Sequence, residues 1–133
     1  MIMKQISVFL ENKRGSLSVL TKILADNQVN LKALSIADTQ DFGILRLIAE
    51  DPRTVAMILS AAGYVCNVTE VLAVSVADKP GGAAAALAAL AEAGITVEYA
   101  YAFASVIPGK ADMVIRVHEN ETAAAVLAGA GIL

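Results

Sequence analysis

Glu11-Asn12-Lys13-Arg14-Gly15-Ser16-Leu17 is the stretch on which the reading of this chain turns, because it occurs twice. Ala77-Asp78-Lys79-Pro80-Gly81-Gly82-Ala83 repeats it 66 positions further on, counted from Gly15 to Gly81. Each copy follows an alternating apolar run and precedes a run with helical spacing. Each places an Asn or Asp and a lysine just before a glycine. A strand that turns through glycine into a helix leaves backbone N–H groups pointing outward, beside the positive end of the helix dipole. Glycine also permits positive φ and a close approach of ligand to backbone. Two such turns in one short chain point to a duplicated small domain with a binding turn in each half.

The flanking sequence gives each turn the same setting. Ile6, Val8 and Leu10 alternate with Gln5, Ser7 and Phe9, which predicts a strand from Lys4 to Leu10. Leu17, Leu20 and Leu24 recur at helical spacing and predict a helix from about Ser16 to Asn27, with Ser16 or Asn12 as a candidate cap. An extended run opens at Val29-Asn30-Leu31 and carries Leu34 and Ile36 to a polar hairpin at Asp38-Thr39-Gln40-Asp41. Gly43 to Ala49 reads as a strand. Asp51-Pro52 starts a helix that Ala62-Gly63 ends. Val65 to Val76 is one long apolar run without Gly or Pro, predicted to close the first unit and open the second. The order is β-α-β-β-α-β.

The second half runs in parallel. A helix from about Gly82 to Glu92 is followed by an extended run from Ile95-Thr96-Val97 through Tyr99, Tyr101 and Phe103, a pattern expected of a strand with one buried face. A turn at Pro108-Gly109-Lys110, a strand from Met113 to Val117 and a helix from Asn120 to about Ala130 complete it. Gly15 matches Gly81, Leu24 matches Leu90, and Arg46 is matched to Arg116 through a four-residue insertion. Only Ile132-Leu133 follow the last helix, so the second unit lacks most of its final strand. Either the chain is shortened there or that sheet edge is covered by something else, such as another subunit. Where the first helix carries Leu17, Val19, Leu20 and Ile23, its counterpart carries Ala83, Ala85, Ala86 and Ala89. That alanine face fits either a thin core or close packing on a partner chain.

Composition limits the function classes. Hydrophobic residues make up 57% and charged residues 17% of the 133, too apolar for a disordered chain. A net charge of −3 argues against nucleic acid as partner. Cys66 is the single cysteine and His118 the single histidine, so an intrachain disulfide and a His/Cys metal cluster are both excluded. Cys66 is expected to be a small buried strand residue and His118 a surface residue. The start lacks a secretory h-region, and the longest apolar run, Ala83 to Ala91, is about half a membrane span. A soluble, cytoplasmic protein without cofactor or metal is expected. The carboxylates show no acid–base pairing, Pro108-Gly109-Lys110-Ala111 lacks the rest of a P-loop, and there are neither RNP aromatics on a basic sheet nor a CxxC metal loop. The expectation is a protein that is not an enzyme.

On these residues the chain resembles a tandem ACT-domain protein of the small stand-alone prokaryotic kind. The ACT pattern is a first strand, Asp/Asn-x-Pro-Gly-x-Leu, a helix, and a hydrophobic-Asn-hydrophobic triplet opening the second strand. The first unit has Asn12-Lys13-Arg14-Gly15-Ser16-Leu17 and Val29-Asn30-Leu31, departing at Arg14. The second has Asp78-Lys79-Pro80-Gly81-Gly82-Ala83 and Ile95-Thr96-Val97, departing at Ala83 and Thr96. The resemblance implies an α+β fold: two tandem ferredoxin-like βαββαβ units, residues 1–71 and 72–133, with antiparallel sheets and helices on one face. It also implies an amino-acid effector bound where two ACT domains meet, a homodimer, and an amino-acid metabolic enzyme as a listening partner. Carried over by position, the ligand-binding residues are Asn12, Arg14, Gly15, Ser16, Leu17 and Asn30 in the first unit. In the second they are Asp78, Gly81, Gly82 and Ala83. The oxygens of Asn12, Asn30 and Asp78 suit an ammonium group and the glycine turns suit a carboxylate. With Thr96 in place of asparagine, the site using Asn30 is expected to be the better one. The competing reading is an assembly module of the same fold that binds no ligand.

Overall fold

The computed structural model describes residues 1–38 and 41–132. Along the chain lie β1 (Ile2–Glu11), α1 (Ser16–Asp26), β2 (Leu31–Asp38), β3 (Phe42–Ala49) and α2 (Pro52–Ala61). There follow β4 (Cys66–Ala77), α3 (Gly82–Glu92), β5 (Val97–Ala104), β6 (Lys110–Val117) and α4 (Asn120–Gly129). The chain forms two compact units, Lys4–Thr69 and Met1–Met3 with Glu70–Leu133. The fold is α+β, with two βαββαβ-like units built from six antiparallel strands and four helices.

In the first unit the strand order is β2-β3-β1-β4. Ile6 pairs with Leu47 and Val8 with Leu45. Side chains of one parity share a face, so these four and Leu10 form one apolar surface. Leu20 and Leu24 of α1 and Val55 and Leu59 of α2 close on it as a single core. The Phe9 N–H donates to the Val65 carbonyl at 3.1 Å, which lays the start of β4 along the end of β1.

The second unit repeats the arrangement with its own core, formed by Leu72, Val74, Ile115 and Val117 under Ala86, Leu90 and Leu127. Its strands run β4-β6-β5. On the other edge of β4, Met1–Met3 lie beside the strand: the Ala73 N–H donates to the Met1 carbonyl at 2.7 Å, and the Met1 ammonium donates to the Ala73 carbonyl at 3.1 Å. That edge is covered along Ala73 by the chain's own first residues.

The sheet registers correct one expected match. Ser7 pairs with Arg46, and its repeat counterpart Ala73 pairs with Val114. The structural counterpart of Arg46 is therefore Val114, two residues before Arg116. The insertion between the halves is two residues, not four, and it falls between the end of β5 and the start of β6. β6 also begins at Lys110 rather than Met113, because Lys110, Ala111 and Asp112 pair with Ala77, Val76 and Ser75. Thr39 and Gln40 of the expected polar hairpin lie outside the described residues.

Helix starts follow two rules. At α2 the Asp51 side chain accepts the Thr54 N–H at 3.3 Å and the Thr54 hydroxyl at 2.7 Å, with Pro52 next, as the Asp-Pro dipeptide implies. At α1 the N-cap position is held by neither Asn12 nor Ser16. The N-cap is Gly15 (φ +83°) there and Gly81 (φ +91°) at α3, with no side-chain cap bond. Left-handed backbone at that step turns the strand end into the helix, and glycine adopts it without Cβ strain.

Candidate functional site

The two turns are hydrogen-bonded alike. In the first unit Asn12 N–H donates to the Asp41 carbonyl (3.0 Å), Lys13 to Glu11 (3.0 Å), Ser16 to Lys13 (3.2 Å) and Val19 to Gly15 (3.0 Å). In the second, Asp78 donates to Gly109 (2.9 Å), Lys79 to Ala77 (3.0 Å), Gly82 to Lys79 (3.1 Å) and Ala85 to Gly81 (3.0 Å). The same backbone cradle is thus built twice, and what differs is the side chains around it.

Beside the first turn lies an open cleft of about 570 Å³. The end of β1 (Phe9, Leu10, Glu11) forms its floor, and Lys13, Arg14, Gly15 and Ser16 form one rim, continued by Val19. Phe42 and the segment Gly63-Tyr64-Val65 form the other side. Leu17 and Ser18 stand in the first turn of α1, where no side-chain cap serves their N–H groups. Lys13 Nζ meets Glu11 Oε2 at 2.9 Å. The hydrogen bond that Lys13 donates to the Glu11 carboxylate, and then that carboxylate's charge, hold the Lys13 ammonium above the ordinary lysine value. The pair is exposed, so it contributes little to stability. Its consequence for the site is that the Glu11 carboxylate already has a cation, whereas the Arg14 guanidinium makes no ion pair or side-chain hydrogen bond among the described residues.

Arg14, Gly15 and Ser16 of the expected site thus line one cleft. Asn12 is exposed on the turn and outside the cleft lining. Leu17 packs against the first core. Asn30 is exposed in the bend before β2, apart from the cleft. In the second unit Gly81 and Gly82 line a smaller cleft of about 300 Å³ with Lys79, Pro80 and Lys110. Asp78 and Ala83 lie on the other side of that turn, in a separate hollow with Ala102, Ala111 and Met113. Thr96 borders a hollow of about 230 Å³ with Glu98 and His118. His118 is exposed and Cys66 half-buried. Burial pushes the Cys66 thiol above its ordinary value, which disfavours the nucleophilic thiolate. Among the described residues, no group of three or more His, Cys, Asp or Glu is placed to hold a metal ion. None of the helices described is long and apolar enough to cross a membrane.

Sequence reading missed Phe9, Val19, Phe42, Tyr64 and Val65. One signal was available. Ile6, Val8 and Leu10 are the buried parity of β1, so Phe9 is a large apolar residue on the polar parity. Phe42 and Tyr64 carry no such mark, because only strand pairing brings them to Phe9.

Two ferredoxin-like units, each with a glycine-capped strand-to-helix turn bordering a cleft, make a tandem repeat of one small α+β module. The chain belongs to the ACT domain pair family, whose pattern it matches over residues 1–130. No curated protein matches it. Among solved structures it is similar to protein BT0572 from Bacteroides thetaiotaomicron, at 39% identity and a TM-score of 0.91, covering 99% of this chain and 90% of that one. It shares its fold with the ligand-free regulatory subunit of aspartate kinase from Thermus thermophilus, at 13% identity and a TM-score of 0.71, with 98% and 97% covered. The Thermus flavus regulatory subunit matches at 14% and 0.68, with 98% and 95% covered.

Proposed function

We propose that this protein is a non-enzymatic regulator that binds a free amino acid in the cleft beside Gly15 and transmits the binding through subunit arrangement. The observation that carries this reading is the cleft itself: a glycine-capped helix start, an Arg14 with no ion pair among the described residues and an apolar wall converge on about 570 Å³, a volume ordinary for a small-molecule site. Membership of the ACT domain pair family and a fold shared with aspartate kinase regulatory subunits support a regulatory role. In this reading residues 1–71 and 72–133 are the two ACT domains, and the ligand is shared with the corresponding surface of a second copy in a cytoplasmic homodimer. Asn30, Asp78 and Ala83 lie outside the two glycine clefts and would act from that partner surface. Binding shifts the population of one dimer arrangement, and an enzyme of amino-acid metabolism reads it.

Thermal-shift measurement against the twenty amino acids, on protein shown to be folded, tests the proposal. One or more should raise Tm in a concentration-dependent way, and Gly15→Val should remove the shift while the fold survives. A folded protein stabilised by none of them, with an oligomeric state indifferent to them, would make it an assembly module instead. The smaller second cleft, with Pro80 and Ala85 in place of Arg14 and Val19, is the observation that favours that alternative.

A further inference from the structure

We infer that the first-unit cleft selects a carboxylate bearing an aromatic ring and does not require an α-amino group on it. This rests on the proposed site and narrows its ligand. Phe9 is 59% and Phe42 52% exposed, and both stand outside the first core. Glu11 pairs with Phe42 and Phe9 with Ile44, which makes the two phenylalanines diagonal neighbours on one sheet face. Diagonal neighbours lie within reach of one another when the side chains are aromatic. Val65, 67% exposed, stands beside Phe9 across the Phe9–Val65 backbone hydrogen bond. Apolar surface left in water is unfavourable, and a flat ring laid on this wall would remove it from water.

The second unit serves as an internal control. Its equivalent positions, located by the two registers, carry Ser75 for Phe9, Lys110 for Phe42 and Ile132 for Tyr64. The fold builds the same turn and strand ends without aromatic residues there, so the aromatic wall is not a folding requirement. Charge argues the rest. Arg14, which has no ion pair among the described residues, offers its guanidinium to a carboxylate at the rim. The carboxylate that could meet an ammonium, Glu11, is held by Lys13 at 2.9 Å. The cleft therefore presents the Arg14 guanidinium and an aromatic wall, the complement of an aryl-alkyl carboxylate.

Isothermal titration of the full chain with phenylalanine, 3-phenylpropanoate, leucine and phenethylamine tests this. Phenylalanine and 3-phenylpropanoate should bind within about threefold of each other, and leucine and phenethylamine at least about tenfold more weakly. Phe42→Lys, which copies the second unit, should weaken both aromatic acids at least about tenfold with Tm nearly unchanged. Should that variant fold poorly, Phe42→Leu keeps an apolar side chain and should still abolish the preference for aromatic acids over leucine. Arg14→Gln should weaken both acids but not phenethylamine. The inference is overturned if leucine binds as tightly as phenylalanine, if 3-phenylpropanoate fails where phenylalanine binds, or if the Phe42 variants bind as the parent does. Binding of a non-aromatic amino acid alone would leave the regulatory reading standing and sink this one. Absence of binding by every amino acid and every aryl acid would sink both.

Discussion

Gly15 and Gly82 are one residue apart in the repeat yet are glycines for different reasons. A Cβ on Gly15 would meet nothing within 4 Å, and the requirement there is its φ of +83°. A Cβ on Gly82 would overlap the Ala77 carbonyl, so the requirement is space. Gly15→Ala should cost about 1 kcal/mol of left-handed strain with no repacking. Gly82→Ala must move backbone and should cost more, about 2–3 kcal/mol. Urea unfolding of the two variants checks the order, and equal or inverted losses would refute it.

Asp51 makes a pH prediction at the same scale. The Thr54 hydroxyl, and then its N–H, hold the Asp51 carboxyl below its ordinary value of 3.8. A depressed carboxylate pKa adds stability that is present above the unfolded value and lost as pH falls through the folded one. Asp51→Ala should therefore lower Tm by a few degrees at pH 7, and the gap to the parent should close as pH drops from about 4 toward 2. A gap that persists in acid would show that the cap acts through shape and not through its charge.

At the scale of elements, α1 and α3 carry the same burial pattern with different side chains. Leu20 and Leu24 are the buried residues of α1, and Ala86 and Leu90 those of α3. The thin-core reading of the alanine face accounts for Ala86, which is buried within its own unit. Leu90 is then the one large side chain of α3 that is fully buried, with Leu87 partly buried against the same core. Leu90→Ala should cost about 3 kcal/mol and should raise hydrogen exchange in α3 before that in α1. Equal exchange in both helices would contradict the separate cores. The bounds of α3 were legible in sequence, because Gly81-Gly82 and Gly94 bracket a run of strong helix formers. The start of β6 was not. Pro108-Gly109-Lys110 reads as a turn locally, and only pairing with Ala77 of β4 shows that Lys110 has already entered a strand.

For the whole molecule, the first three residues matter out of proportion to their number. Met1–Met3 belong to the second unit, although more than sixty positions separate them from its next residue, Glu70. Removing them should leave the first core intact and expose the Ala73 N–H, raising its hydrogen exchange and lowering the stability of the second unit. Unchanged protection at Ala73 would show that this edge does not depend on them. No local signal in Met1-Ile2-Met3 announces this role, because the edge they cover is made by residues far along the chain.

Sequence by itself determined the order of strands and helices, the duplication, and the two glycine turns. These are written in short-range terms: a period of two or of 3.6, a residue without a Cβ, an Asp before a Pro. Tertiary structure alone decided the two-residue offset between the halves, the β4 edge covered by Met1–Met3, and the cleft wall of Phe9, Phe42, Tyr64 and Val65. Those depend on register and on which parity of each strand is buried. Hydrogen bonding and core packing set both between residues distant in sequence, so the same turn, written twice, borders a wide aromatic cleft in one unit and a narrow one with Lys110 in the other.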